Sequence, residues 1–405
     1  MKYRLCMWKH WLENILIFPF ILFGRLIGSM FPLKQSYDVY FFFPFYHIGG
    51  AEKVHFQVAA ATGGSNCIVY FTRKSLNHLY YEEFKKTGCK LVDISSWTDN
   101  KFFYFNNLIC RGIISYHINR QAKKPVVFNG QCNFGYKISP WISNDIPQLE
   151  LIHSLCSFSY IRIPFIQYYY RTVMISRRRI TDHEALYDRY GIPQAYKENI
   201  RFILNGIPLP LEKRWSNNEV VGRLRILYVG RDTEEKRVDL IASVAKEVKD
   251  AGVDADFVFM GEVRNAIPNE LHPYCTFLGN MHDDKAIHGE YMKSHILLML
   301  STTEGFPMAV MEGMARGLVI ISTPVGEIPM YVKNGINGYL TRSTSTNRKV
   351  LQQAVDHIKT LAANPQLIAN MGGNNVVVAE ESFGIEKFNR EYRSLFKRSR
   401  EAYAR

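Results

Sequence analysis

The sequence predicts an α/β protein of two doubly wound domains facing each other across a cleft. Three observations carry that prediction. A chain of 405 residues is too long for one ordinary core and fits two domains of roughly 170 to 190 residues. Apolar runs of strand length alternate with helix-length stretches in two successive series, which implies parallel sheets covered on both faces. A polar break, "PLEKRWSNNEVVGR" (Pro210 to Arg223), separates the two series. The expected organisation is an N-terminal segment (1–34), a first domain (35–210), a linker (211–223), a second domain (224–385) and a C-terminal helix with a basic tail (386–405).

In the first series "YDVYFFFPF", "NCIVYF", "CKLVDIS", "PVVFNG", "LELIHS", "TVMIS" and "IRFIL" read as strands. Between them, helices are expected over Ala51 to Ala60, in "NHLYYEEFKKTG", near Phe102 to Gln121, and up to Gly191. The second series runs "LRILYVG", a helix from Val238 to Ala251, "DFVFMG", "TFLGN", "HILLML", "LVIIS" and the Asn337-Gly338 turn before "YL", then two helical stretches. In such sheets ligands bind beyond the carboxyl ends of the strands, so the loops there are where chemistry is expected.

Composition narrows the function classes. Hydrophobic content of 47% and aromatic content of 14% describe a folded protein with ample core. Lys and Arg number 50 against 37 acids, a net charge of +13 that suits nucleic acid, an anionic membrane or phosphate-bearing substrates. No zinc-finger spacing or aromatic RNA-binding stretch supports the first, and no nucleic-acid partner is expected. The seven cysteines are scattered without a C-x-x-C pair, which favours a reducing compartment over a disulfide scaffold or structural zinc.

Residues 1–34 carry five cations and one acid around "ILIFPFILF" (Ile15 to Phe23). Nine helical residues cover only about 14 Å, too short for roughly 30 Å of hydrocarbon. Extension to Leu33 brings in Gly24, Arg25, Gly28 and Pro32, which makes a span marginal. A secretory signal lacks a clean cleavage pattern. The segment is expected at the membrane interface, with Trp8, Trp11, Phe18, Phe20 and Phe23 at the headgroup and acyl boundary; packing on the protein's own surface is the alternative.

Four loops carry candidate chemistry. In "STTEGFPMAVMEGMARG", Glu304 falls in the loop after a strand. Pro307 suits a first helical turn, and Glu312 stands about one and a half turns into a helix ending near Gly317. That spacing aims two carboxylates at different parts of one ligand beside a helix start that favours an anion, although acids in a first turn are also ordinary caps. "YVGRDTEEKR" offers Arg231 and Lys236 to a diphosphate, or is a solvated run paired with Glu234 and Glu235. "YHIGGAEK" has Gly49 and Gly50, which admit a ligand close to the backbone or simply make a tight turn. There is no G-x-G-x-x-G, which disfavours a dehydrogenase. His153 ends the strand in "ELIHSL" and faces the expected cleft, or is a satisfied core group. "DAD" (Asp254 to Asp256) precedes its strand and so lies at the wrong edge for a metal site, and "RRR" (Arg177 to Arg179) is expected on an exposed helix face.

Taken in order, these motifs resemble the retaining glycosyltransferases of family 4, over roughly Tyr37 to Phe396, most specifically in "EGFPMAVMEGMARG". The resemblance implies the GT-B architecture of two Rossmann-like domains. It also implies transfer of a hexosyl unit from a nucleotide diphosphate sugar to an acceptor hydroxyl with retention, and no resident metal or other cofactor. It places Glu304 near the donor sugar, Glu312 on the ribose, and Arg231 and Lys236 on the donor phosphates, with Gly305, Phe306, Pro307 and Met308 also at the donor. Gly49 and Gly50 would line the donor and acceptor side, and His153 would touch the transferred sugar. Arg237, Gly313 and Pro208 depart from the family pattern, where a glycine, an alanine and an acid are common. The basic, aromatic N-terminus adds the expectation of a lipid-linked glycan acceptor in cell-surface polysaccharide assembly, with the protein cytoplasmic and peripheral on the inner face of the membrane. A nucleotide-sugar epimerase of the same fold, or a binding module without turnover, are the rival readings.

Overall fold

The computed structural model describes residues 2–47, 49–100, 104–153, 155, 157–211, 223–342 and 346–403. Most of the expected linker, and Ile48 of the Gly-Gly loop, lie outside the described residues. The chain forms two compact units: Met1–Leu204 with Glu386–Arg405, and Asn205–Ile385.

The first unit contains α1 (Lys2–Met30), β1 (Val39–Phe43), α2 (Gly50–Thr62), β2 (Cys67–Phe71), α3 (Tyr81–Lys86), β3 (Lys90–Asp93), α4 (Ser95–Thr98) and α5 (Tyr104–Asn119). It continues with β4 (Val126–Asn129), α6 (Asn133–Ile138), β5 (Gln148–Ile152), α7 (Ser157–Ile161), β6 (Arg171–Met174), α8 (Arg177–Tyr190), α9 (Gln194–Glu198) and β7 (Ile200–Phe202). Its sheet has the order β3-β2-β1-β4-β5-β6-β7. Every pairing is parallel, as in Val39 opposite Cys67 and opposite Val126. β1, β2 and β4 are buried along their whole length, which is why they read as nearly continuous apolar runs rather than alternating ones; β5 is equally buried although Gln148 and Glu150 alternate with its apolar residues.

The second unit contains β8 (Leu224–Val229), α10 (Val238–Asp250), β9 (Ala255–Met260), β10 (Cys275–Gly279), α11 (Asp284–Lys293) and β11 (Ile296–Met299). After these come α12 (Met308–Ala315), β12 (Val319–Ser322), α13 (Ile328–Tyr331), β13 (Gly338–Leu340), α14 (Asn347–Ala362) and α15 (Pro365–Ser382). The sheet order is β10-β9-β8-β11-β12-β13, again parallel. One face is closed by Val238, Ile241, Val244, Ala245 and Val248 of α10 with Val350, Ala354 and Ile358 of α14, each at helical spacing. The division between units falls at Leu204 and Asn205, ahead of the polar break. Ile207 is tied into the second unit, its N–H donating to Phe383 O at 2.8 Å and its carbonyl accepting from Ile385 N at 2.9 Å.

Two terminal elements behave differently from a free anchor and a free tail. The last helix, α16 (Ile385–Tyr403), packs from Glu386 onward in the first unit. Phe396 stacks on Phe128 at 5.5 Å, Tyr392 meets the same ring edge-on, and Arg393 Nε donates to Ala61 O at 2.8 Å. Phe388, Tyr392 and Phe396 recur at i, i+4 and i+8, so one stripe of α16 is core. At the other end, α1 is a continuous 29-residue helix laid along α5, and the apolar run Ile15 to Phe23 is only its middle. Gly24 and Gly112 allow the close approach: a Cβ on Gly24 would stand 2.2 Å from Ile109 O.

Candidate functional site

In the second unit the strand order reverses between β8 and β11, which are hydrogen-bonded neighbours. Loops leaving such adjacent strands in opposite directions open a crevice at their carboxyl ends. Lys236 comes from the loop after β8 and Glu304 from the loop after β11, and they meet there. Lys236 Nζ donates to Glu304 Oε1 at 2.5 Å, with the side chains 15% and 10% exposed. Thr302 N–H donates to Glu235 O at 2.8 Å and joins the two loops. Arg231, on the same β8 loop, is exposed.

The surroundings fix these loops by packing. Tyr228 OH donates to Arg231 O at 2.8 Å, and a Cβ on Gly230 would come within 2.6 Å of that hydroxyl. Burial holds the Tyr228 phenol above its usual pKa, so it stays a donor. Arg237 adopts φ 51°, left-handed backbone that suits glycine. The departure from the family pattern at this position therefore falls where the backbone itself calls for glycine. The loop after β12 braces the other side, Glu327 N–H donating to Gly305 O at 2.8 Å. Gly326, at φ 57°, lets it come so close.

Within the acidic motif the geometry differs in part from expectation. Pro307 is the residue before α12, with an extended ψ of 128°, so the helix begins at Met308 rather than at the proline. The Phe306 ring is buried against Tyr331 at 5.0 Å and Phe383 at 5.3 Å, which leaves its backbone as the part available to a ligand. Gly317, at φ 71°, follows the helix end. Glu312 stands on α12, partly exposed, and accepts from Tyr291 OH at 3.0 Å. Burial, and then Glu312 itself, push the Tyr291 phenol up, so it remains a donor and orients that carboxylate. Gly313, where alanine is common, lies 3.2 Å from Leu297 when given a Cβ, a contact the leucine must yield to.

In the first unit, Gly49 precedes α2 with extended backbone, φ 177°. A Cβ there would stand 2.2 Å from Oε2 of buried Glu52 and require that carboxylate to shift, whereas a Cβ on Gly50 would meet open space. His153 follows β5, and its N–H donates to Gln131 Oε1 at 3.0 Å. Its Nε2 lies 2.9 Å from Nε2 of His55, a buried residue of α2 that sequence reasoning passed over. Burial lowers the His153 pKa to about 4 and, with help from His153, holds that of His55 well below the ordinary histidine value, so both rings are neutral at pH 7. One proton is therefore shared along the Nε2–Nε2 contact. His55 Nδ1 is buried with no hydrogen-bond partner among the described residues. An orphaned lone pair is the more tolerable of the two orphan states, so His55 carries its proton on Nε2 and donates to His153. His153 is then protonated on Nδ1 and presents that N–H as a donor.

Two further expectations are placed by the structure. Asp254 and Asp256 both pair with Arg223, at 2.7 Å and 2.8 Å, at the amino end of β9. Arg178 and Arg179 share Asp182 on α8, whose start is capped by Ser176. Of the residues missed, His55 had one signal: a histidine on the apolar face of "KVHFQVAAA". Gln131, Tyr228 and Tyr291 had none, since their roles come from distant partners.

The family model for glycosyl transferases group 1 matches residues 211–376. The N-acetyl-alpha-D-glucosaminyl L-malate synthase of Bacillus anthracis is 27% identical over 225 residues, 53% of this chain and 55% of that protein. One component of the human phosphatidylinositol N-acetylglucosaminyltransferase is 29% identical over 157 residues, 36% of this chain and 32% of that one. The chain thus spans about half the length of the first relative and a third of the second. Anabaena HepE, solved in complex with UDP and glucose, superposes with a TM-score of 0.70 at 15% identity, covering 89% of this chain and 100% of that one. At that identity the likeness speaks to the fold alone. Residues 211–376 thus match the glycosyl transferases group 1 family model, and the two parallel-sheet units are those of the GT-B fold.

Proposed function

We propose that this protein is a retaining hexosyltransferase. It moves a sugar from a nucleotide diphosphate donor to a hydroxyl of a lipid-linked glycan in cell-surface polysaccharide biosynthesis, from the cytoplasmic face of the membrane. The meeting of Lys236 and Glu304 at the switch point of the second sheet carries this reading. A cation on a flexible stem and a carboxylate within one crevice suit a donor with an anionic diphosphate and a hydroxyl-rich sugar. Arg231 and Lys236 stabilise the charge that grows on the diphosphate as the anomeric bond breaks, an effect of roughly 10² to 10³ in rate per donor group. Glu304 holds sugar hydroxyls, and Glu312, oriented by Tyr291, takes the ribose. Gly305, Pro307 and Met308 offer backbone at the helix start, and Gly49, Gly50 and His153 serve the acceptor and transferred sugar. No metal has a part in this chemistry, and activity unchanged by EDTA is the corresponding expectation.

The test is nucleotide diphosphate release from a panel of UDP-, GDP- and ADP-sugars, with and without a lipid extract, for the full chain and for Glu304→Ala. Release from one donor that rises with lipid and vanishes in the variant supports the proposal. Conversion of the donor with no acceptor present indicates an epimerase, and binding without release from any donor indicates a module lacking turnover.

A further inference from the structure

The geometry points to α1 as an in-plane membrane-docking helix: one face is fastened along its length to the first unit, and the opposite face inserts into a bilayer carrying anionic lipid. This deepens the proposed work on a lipid-linked acceptor.

The fastening runs from end to end. Tyr3 and His10 pack edge-on against Tyr196 and Phe165, the latter pair at 4.7 Å, and the Phe20 ring lies tilted against Phe105 at 5.0 Å. Gly24 and Gly28 sit on α5, and Arg25 Nη2 donates to Trp141 O at 2.9 Å. His117 Nε2 lies 3.2 Å from Gly28 O and 3.0 Å from Phe31 O. By length and hydropathy alone α1 could cross a membrane. A helix held this way cannot do so without drawing the folded sheet layer beside it into hydrocarbon, where that unit's polar surface would lose its water. Phe20, expected at the lipid boundary, faces the protein instead.

Rotation by 100° per residue puts His10, Ile21, Gly24 and Gly28 on the protein side. Leu5, Trp8, Ile15, Leu16, Leu22 and Leu26 lie opposite, each at least half exposed. Of 22 exposed large apolar side chains among the described residues, eleven fall between Leu5 and Phe31. At about 100 Å² apiece they form a patch of roughly 1,000 Å², beyond the few hundred usual for a soluble monomer. Arg4 is the one charge on that outward arc.

Charge selects the occupant. The first unit holds 32 Lys and Arg against 16 Asp and Glu, net +16; the second holds 18 against 21, net −3. The cations thus gather on the unit that bears the apolar face. A second copy docked there would bring two strongly positive units together, while anionic headgroups receive both the charge and the apolar helix.

The test is flotation of the full-length protein with vesicles of phosphatidylcholine alone and of phosphatidylcholine with about a third phosphatidylglycerol. The expected result is preferential flotation with the anionic vesicles, release by alkaline carbonate, and at least about a tenfold loss of binding in Trp8→Glu/Leu22→Glu with an unchanged melting curve. Carbonate-resistant protein with a protease-protected N-terminus would make α1 a span and overturn the inference. Equal flotation on both vesicles would remove the charge argument. Failure to float, with a dimer by light scattering that the variant abolishes, would make the partner a second copy. Nucleotide release from a donor sugar is measured on the same samples, so loss of the transferase reading and loss of docking are seen separately.

Discussion

Replacing Lys236 with methionine separates catalysis from packing at the candidate site. The ammonium lies 2.5 Å from Glu304 Oε1, and both side chains are mostly buried, at 15% and 10% exposure. Truncating one partner of a fully buried pair costs about 3 to 5 kcal/mol. Residual solvent at this pair and the flexible stem of the lysine reduce that to about 1 to 2 kcal/mol of stability. The rate effect is separate: loss of one charged donor to the leaving diphosphate is worth about 2.7 to 4 kcal/mol, or 10² to 10³ in turnover. Lys236→Met/Glu304→Gln takes away the carboxylate's charge together with the ammonium and recovers most of the stability, yet it restores no activity. Urea unfolding and nucleotide diphosphate release on the wild type, both single variants and the double variant complete the cycle. Near-normal turnover in Lys236→Met, or recovery of turnover in the double variant, would show that the pair is structural and refute the reasoning.

Three further outcomes follow from the geometry. His55→Phe removes the donor to His153 Nε2 and lowers kcat with little change in donor KM, by about tenfold for one neutral hydrogen bond; His55→Gln, which restores a donor at that place, recovers it, and equal loss in both variants counts against a positioning role. His55, His153 and His183 all have pKa values held below the ordinary histidine value by burial, His153 and His183 to about 4. The unfolded chain then binds more protons below about pH 6.5, so stability is full above that pH and falls as pH drops toward 4, by up to about 1.4 kcal/mol per pH unit for each ring; a flat denaturant midpoint across this window would contradict it. Arg237→Gly relieves left-handed backbone worth about 1 to 2 kcal/mol against roughly 0.5 to 1 kcal/mol of added chain entropy, so the melting temperature rises by a few degrees. A fall would mean that the guanidinium contacts outweigh the strain.

Local pattern made the two sheets legible. Runs such as "VYFFF" and "HILLML", set between glycine and proline punctuation, state buried strands through composition alone, and the alternation with helices requires parallel pairing. The loops after β8 and β11 were legible as candidate chemistry for the same reason, since each follows a strand directly. What a loop touches was not legible. That Phe306 turns inward depends on Tyr331 and Phe383, and that Pro307 precedes the helix depends on a single ψ angle.

By itself, then, the sequence determined the strands of both sheets and most of the long helices, the two-part division, and the acidic and cationic loops, because periodicity and turn chemistry act over a few neighbouring residues. Only the tertiary structure decided that α16 returns to the first unit, that His55 meets His153 across 98 positions, that Lys236 closes on Glu304 across 68, and which face of α1 is left outward. Those outcomes are set by which surfaces pack once the sheets exist. A helical histidine or an all-apolar helix carries no mark of its partner until the strand order brings that partner within reach.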